Sequence, residues 1–204
     1  HTITRLAEDY SARSKGMMHF QDLKALGTAL IHSGAKKLFE IGTFRGNTSD
    51  FCLTLVPELQ VVSIAYLVPA LRFFGKKYNN EHRAKSEVGC DVRTENRARF
   101  KQLYGDSHKL SANEIINNYG TFDFMLIDGD HSAQGVAKDT ALARDILNPE
   151  EASVCWHDAN PKECYLEVRE FLEQDLPVSA TATQANFIGG IAYWRGRPNL
   201  LTTT

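Results

Sequence analysis

The chain has 204 residues, 43% of them hydrophobic and 24% charged, with a formal net charge of −2. That balance fits one globular domain with a full apolar core and excludes a disordered or fibrous chain. The small net charge gives no reason to expect nucleic acid as the main partner, and no run is long and apolar enough to span a bilayer as a helix.

The chain opens on His1 rather than Met, so residues upstream of it are expected, and its start carries no legible secretory signal. A single domain is expected over residues 1–204, with 1–19 as an N-terminal extension. Phe20 to Ser33 spaces Leu23, Leu26, Leu30 and Ile31 on one helical face, and Gly34 is placed to end that helix. "KKLFEIG" then reads as a short strand running into a turn. The segment "GTFRGNTSDFCLTLVPEL" holds the turn and a second helix, which Pro57 should close.

"QVVSIAYLV" reads as the second strand. "FKQLYGDS", "FDFMLIDGD" and "ASVCWHDAN" read as the third, fourth and fifth, with helical patterns around them in "SANEIINNYG", "AQGVAKDTALARDIL" and "CYLEVREFLEQDL". "NFIGGIAYWRG" reads as a last strand with a bulge or bend at Gly189-Gly190. Strands alternating with helices predict an α/β fold with a parallel sheet covered on both faces. The exception is Arg72 to Arg99, a polar and basic insertion after the second strand. It suits either a lid that attracts an anionic ligand or a solvated loop.

Parallel sheets bind ligands beyond the C-terminal ends of their strands. Two motifs fall there. "LIDGDHS", Leu126 to Ser132, packs Asp128, Asp130 and His131 around an Asp-Gly pair. It reads as a metal site, a general base or a plain turn. "FEIGTFRGNTS", Phe39 to Ser49, has the spacing E-x-G-x-x-x-G between a strand and a helix. Its glycines allow close backbone approach, and the helix start offers free amides to an anion. It is neither the G-x-G-x-x-G dinucleotide fingerprint nor a Gly-Lys-Ser/Thr phosphate loop. The four cysteines, Cys52, Cys90, Cys155 and Cys164, form no C-x-x-C pair, which argues against a zinc site or disulfide framework and favours a cytoplasmic address.

With "FEIGTFRGNTS", "YGDS", "FDFMLIDGDHSAQGVAKD" and "VCWHDAN" in this order, the chain resembles class I S-adenosylmethionine-dependent methyltransferases. More narrowly, it resembles the bacterial subgroup that includes macrocin-type sugar O-methyltransferases and cephalosporin-hydroxylase-like proteins. The resemblance runs over roughly residues 20–195. It implies a Rossmann-like, doubly wound, mostly parallel seven-stranded sheet. It also implies that Glu40, Gly42, Thr43, Gly46, Asn47 and Thr48 line the methionine end of the cofactor, with Asp106 and Ser107 near the adenine. Asp128 would touch the cofactor and, with Asp158, hold Mg2+ or another divalent metal. His157 stands where some members carry a glutamate ligand, and His131 stands at the position of a general base. An imidazole at 157 would shift metal preference towards Mn2+, Fe2+ or Zn2+.

One strand departs from the family's pattern. Its members end the second strand with an acid that accepts from the ribose hydroxyls, whereas this chain has Ala65 and Tyr66 there and no acid until Glu81. The leading expectation is O-methylation of a small-molecule hydroxyl, aided by a metal. Two alternatives stand beside it: a non-catalytic binding protein with a degenerate cofactor site, and a metal-dependent enzyme of another reaction type. Oligomeric state stays open, because Trp156, Trp194 and the Phe73-Phe74 pair fit a core as well as a homo-oligomer interface.

Overall fold

The computed structural model describes residues 2–13, 18–66, 85–159, 165–174, 186–188 and 190–201. Cys164, Phe73-Phe74, Glu81 and residues 72–84 of the insertion therefore lie outside the described residues. A seven-stranded sheet runs in the order β3-β2-β1-β4-β5-β7-β6. Its strands are β1 (Lys37–Ile41), β2 (Gln60–Ala65), β3 (Phe100–Tyr104), β4 (Phe124–Ile127), β5 (Ala152–Trp156), β6 (Asn186–Ile188) and β7 (Ile191–Gly196). The first five pair in parallel, and β7 runs antiparallel to both β5 and β6.

The helices are α1 (Thr2–Arg13), α2 (Phe20–Ser33), α3 (Asn47–Leu55), α4 (Ala112–Tyr119), α5 (Ala133–Ile146) and α6 (Leu166–Gln174). Helices α1 to α3 supply Ala7, Tyr10, Leu23, Leu26, Leu30, Phe51 and Leu53 to the core on one face. Helices α4 to α6 supply Ile115, Val136, Ile146, Val168 and Phe171 to the other. Strand β4 is sandwiched between them. Phe124 and Leu126 join the first core, and Met125 and Ile127 the second, which is why this strand reads as an unbroken apolar run. Trp156 and Trp194 are both 1% exposed and belong to the core. Among the described residues, no helix is long and apolar enough to cross a membrane.

The doubly wound fold is as expected, but the last predicted strand is two. The chain reverses between Ile188 and Ile191, which face each other in the β6–β7 hairpin. The antiparallel pairing of the described residues on either side makes two strands rather than one bulged strand. The tail of the predicted insertion is also built. Its end forms a short 3-10 helix, Thr94–Arg99, and residues 89–91 pack along the turn after β1.

Candidate active site

The order of the sheet places the switch in winding direction between β1 and β4, where a doubly wound sheet opens a crevice. Two predicted motifs flank it. Gly42 follows β1 with φ 102°, and a Cβ there would lie 1.9 Å from the backbone oxygen of Asp128. Only glycine allows this contact, so the turn after β1 rests directly on the end of β4. Gly46 caps α3 with φ 88°, and a Cβ there would strike Val92 at 2.7 Å and Gly89 at 2.9 Å. The turn is thus pressed between β4 and the tail of the insertion. Gly89 N–H donates to Phe44 O, and Asp91 N–H donates to Arg45 O, at 3.1 and 2.9 Å. Arg45 grips Asp91 with two hydrogen bonds of 2.6 Å, and Asn47 adds a third at 2.9 Å. Nothing in the local spacing of the sequence announces this brace.

Glu40 lies beneath the turn, 1% exposed. Its Oε2 accepts from Ser49 Oγ at 2.5 Å and from Ser63 Oγ. Behind them, Thr43 Oγ1 and Ser63 Oγ are 2.6 Å apart, and Gln102 Nε2 donates to Thr43 at 2.9 Å. Burial lifts the Glu40 carboxyl to about 7, and the two serine hydroxyls only partly offset this. Glu40 and Thr43 therefore sit under the turn and hold its shape, with Thr48 half-buried on α3.

"LIDGDHS" divides into two kinds of residue. Asp130 and Ser132 do local work: Asp130 Oδ1 accepts from Ser132 N–H at 3.0 Å, and Ser132 Oγ caps α5 by accepting from Gly135 N–H at 3.1 Å. Asp128 and His131 instead meet Asp158 and His157 from the end of β5. His131 Nε2 lies 2.6 Å from Asp158 Oδ2 and 3.6 Å from Asp128 Oδ1. His157 Nδ1 lies 3.2 Å from both Asp128 Oδ1 and Asp158 Oδ2. Tyr165, before α6, stacks on the His131 ring at 4.1 Å between centroids. Asp158 adopts φ 59°, an uncommon backbone state for a non-glycine residue that recurs at functional sites.

Burial opposes charge on all four groups, yet the attraction between them prevails. Asp128 and Asp158 are held below the usual carboxylate range by the two imidazoles, and His157 is raised far above its ordinary value. His131, despite burial, is lifted to about 9 by Asp128 and Asp158. The buried nitrogens are nevertheless poorly satisfied. His131 Nε2 and both His157 nitrogens are close to carboxylates but not aligned with them as hydrogen bonds. Asp128, His157 and Asp158 each offer one donor atom, and these lie within 4.8 Å of one another. Two carboxylates and an imidazole with unaligned nitrogens fit a divalent cation.

Asp106 and Ser107, after β3, make a second cluster with α5. Asp106 Oδ1 accepts from His108 N–H at 3.0 Å, and Ser107 Oγ donates to the buried Asp139 at 2.8 Å. Burial pushes Asp139 up to about 6. The sequence singled out Asp106 and Ser107 but not Asp139. The aspartate lies on the buried face of α5, against the 3-10 turn at Ser107–Lys109, seven residues beyond the Ser132 cap. At the end of β2, Ala65 is buried and Tyr66 is exposed, so neither described residue there offers a carboxylate. Cys52 and Cys155 are buried thiols, and burial pushes both up, as small hydrophobic residues require.

Solved structures share this architecture. MycE methyltransferase from the mycinamycin biosynthetic pathway, in complex with Mg and SAH, superposes with a TM-score of 0.63 at 16% identity over 96% of this chain. The chain spans only 54% of the length of MycE. An O-methyltransferase from Bacillus cereus in complex with SAH gives a TM-score of 0.60 at 15% identity, covering 96% of this chain and 90% of that one. A putative caffeoyl-CoA O-methyltransferase from Staphylococcus aureus gives 0.60 at 12% identity, covering 97% and 92%. No curated protein matches the chain by sequence. A family model described as a methyltransferase domain does match, over residues 39–159, from the buried β1 strand through both motifs to the residue after Asp158. The chain belongs to that family of methyltransferase domains.

Proposed function

We propose that this chain is an S-adenosylmethionine-dependent methyltransferase that methylates a hydroxyl of a small molecule, with a divalent cation at the site. One observation carries the reading: Asp128, His131, His157 and Asp158 converge at the crevice whose other wall is the glycine turn after β1. The Mg- and SAH-bound MycE and the SAH-bound Bacillus cereus enzyme support it by likeness of fold. A complex of MycE with mycinamycin VI supports a small-molecule acceptor.

Gly42, Gly46, Asn47 and Thr48 would receive the methionine end of the cofactor, with Glu40 and Thr43 holding the turn from below. Asp106 and Ser107 would face the adenine, and Asp128 would reach both cofactor and cation. Asp128, His157 and Asp158 would hold the cation, which when bound makes an acceptor hydroxyl more acidic. Neutralising the two carboxylates removes the charge that keeps His131 protonated, so its imidazole can accept the hydroxyl proton. The acceptor oxygen attacks the methyl carbon in line, the carbon–sulfur bond breaks, and the electron pair stays on sulfur. Tyr165, stacked on His131, fixes the ring that takes the proton.

Calorimetry with S-adenosylmethionine, with and without Mn2+, followed by a screen of hydroxylated acceptors, tests this reading. Cofactor binding and methyl transfer that Asp128→Ala abolishes are expected. No binding at millimolar cofactor would overturn it in favour of a degenerate site. Tight cation binding without any methyl transfer would favour a metal-dependent enzyme of another type. A cytoplasmic address suits the free thiols Cys52, Cys90 and Cys155.

A further inference from the structure

Asp22 belongs to α2, far in sequence from the motifs, yet it is 4% exposed and reaches the site from behind. Its Oδ1 accepts from Gly190 N–H at 2.6 Å, and Gly190 O accepts from Ala159 N–H at 2.9 Å. A Cβ on Gly190 would come within 3.3 Å of both carboxylate oxygens, so the glycine leaves Asp22 its place. The second oxygen, Oδ2, lies 3.5 Å from His157 Nε2. The opposite nitrogen of the same ring, Nδ1, lies 3.2 Å from Asp128 Oδ1 and Asp158 Oδ2. The ring therefore stands between one buried carboxylate fixed by a backbone amide and two that converge on a common point.

We propose that Asp22 is a positioning residue for a transition-metal centre: it holds the proton of His157 on Nε2 and so presents Nδ1 as a nitrogen ligand beside Asp128 and Asp158. Metal-binding histidines commonly carry such a carboxylate on the far nitrogen, which fixes the tautomer and makes the ligand more basic. A nitrogen donor in place of an oxygen turns the site from Mg2+ towards Mn2+, Fe2+, Co2+ or Zn2+. Once metal binding has displaced the extra protons of His131 and His157, the three carboxylates around the two imidazoles leave an excess of negative charge that a dication offsets. The proposal rests on Asp128, His157 and Asp158 as cation ligands, and it does not depend on methyl transfer.

The test uses the full chain stripped of metal by chelation and titrated separately with Co2+ and Mg2+. Binding is followed by calorimetry and by the visible absorption of Co2+. Co2+ is expected to bind at least about tenfold tighter than Mg2+, and His157→Glu is expected to erase that preference while keeping Mg2+ binding. Asp22→Asn keeps an oxygen for Gly190 N–H but turns an NH2 towards Nε2, which favours the proton on Nδ1. It is expected to weaken Co2+ binding by about ten- to a hundredfold and to alter the Co2+ spectrum. Should that variant misfold, nitrogen-15 spectra of histidine-labelled, Zn2+-loaded wild-type protein decide the matter. Metal on Nδ1 and proton on Nε2 support the proposal, and the reverse overturns it. Equal affinity for the two cations, an unchanged Asp22→Asn titration, or no cation binding at all would each overturn it, the last leaving an imidazolium ion pair only. Co2+ binding through His157 without methyl transfer would sink only the reading of the reaction.

Discussion

His131 Nε2 lies 2.6 Å from Asp158 Oδ2, joining the turn after β4 to the end of β5 across the crevice. Burial works against the imidazolium, but Asp128 and Asp158 raise its pKa from 6.5 to about 9. A raised histidine favours the folded state while protonated. That stabilisation is fully present below about 6.5 and is lost as pH rises through about 9. A cation on the same carboxylates expels the proton, so its binding strengthens as pH rises. Melting temperatures with and without Mn2+ between pH 6 and pH 9 should diverge, the metal-free curve falling and the metal-induced rise growing. A metal-induced rise that shrinks with pH would contradict the arrangement.

Glu40 gives a separate pH signature. Burial raises its carboxyl from 4.5 to about 7, the hydroxyls of Ser49 and Ser63 lower it in part, and Asp128 adds to the rise. A carboxyl raised on folding stabilises the protein fully below about 4.5, and that contribution is lost as pH rises through about 7. The loss is on the order of 3 kcal/mol. Glu40→Gln mimics the neutral form and keeps an oxygen for the serines. Its urea midpoint should change less between pH 5 and pH 7 than that of the wild type, and identical pH profiles would dismiss the raised carboxyl.

Gly42→Ala tests the contact between the two motifs. The new methyl would lie 1.9 Å from Asp128 O, with the backbone at φ 102°. Overpacking against backbone and left-handed strain together should cost on the order of 3 kcal/mol or more. Cofactor binding should fall with it, because the turn and the end of β4 would have to part. An unchanged urea midpoint would show that the turn does not rest on β4.

The alternation of strands and helices made the doubly wound fold legible, because each strand carries its own apolar run and each helix its own face. Asp128, His131, His157 and Asp158 were legible because they follow strands directly. Asp22, Asp91 and Asp139 were not. Each acts on the site from a helix or a remote loop, where one carboxylate among polar neighbours looks solvated until the chain folds. The β6–β7 hairpin was hidden for a related reason: a Gly-Gly pair between apolar runs suits a bulge as well as a reversal, so the spacing alone does not separate one strand from two.

Tyr10→Phe probes how the first helix is fastened. Tyr10 Oη donates to Asp50 Oδ2, a carboxylate 1% exposed. Asp50 also accepts from Arg93 Nε at 2.7 Å and from Asn96 Nδ2 at 2.6 Å, so one buried charge ties α1, α3 and the tail of the insertion together. Removing the phenol leaves the other donors in place and should cost about 1 to 2 kcal/mol. The measurement is a urea melt followed by proteolysis at the N-terminus. Faster cleavage there with a lower midpoint is expected, and no change in either would leave α1 held by its apolar face alone.

Ala65→Asp tests the departure at the end of β2. Ala65 is 6% exposed and sits level with Tyr104 on β3. A carboxylate there would be desolvated in the free protein, at a cost on the order of 3 kcal/mol. If the ribose lies above β2, its two hydroxyls supply hydrogen-bond partners. Cofactor affinity should then rise by about ten- to a hundredfold even as the free protein melts earlier. Both effects come from one desolvated charge, so they should appear together. A lower melting temperature without tighter binding would place the ribose away from β2, leaving Tyr66 and the third-strand end at Asp106 and Ser107 as the surfaces that meet the nucleoside.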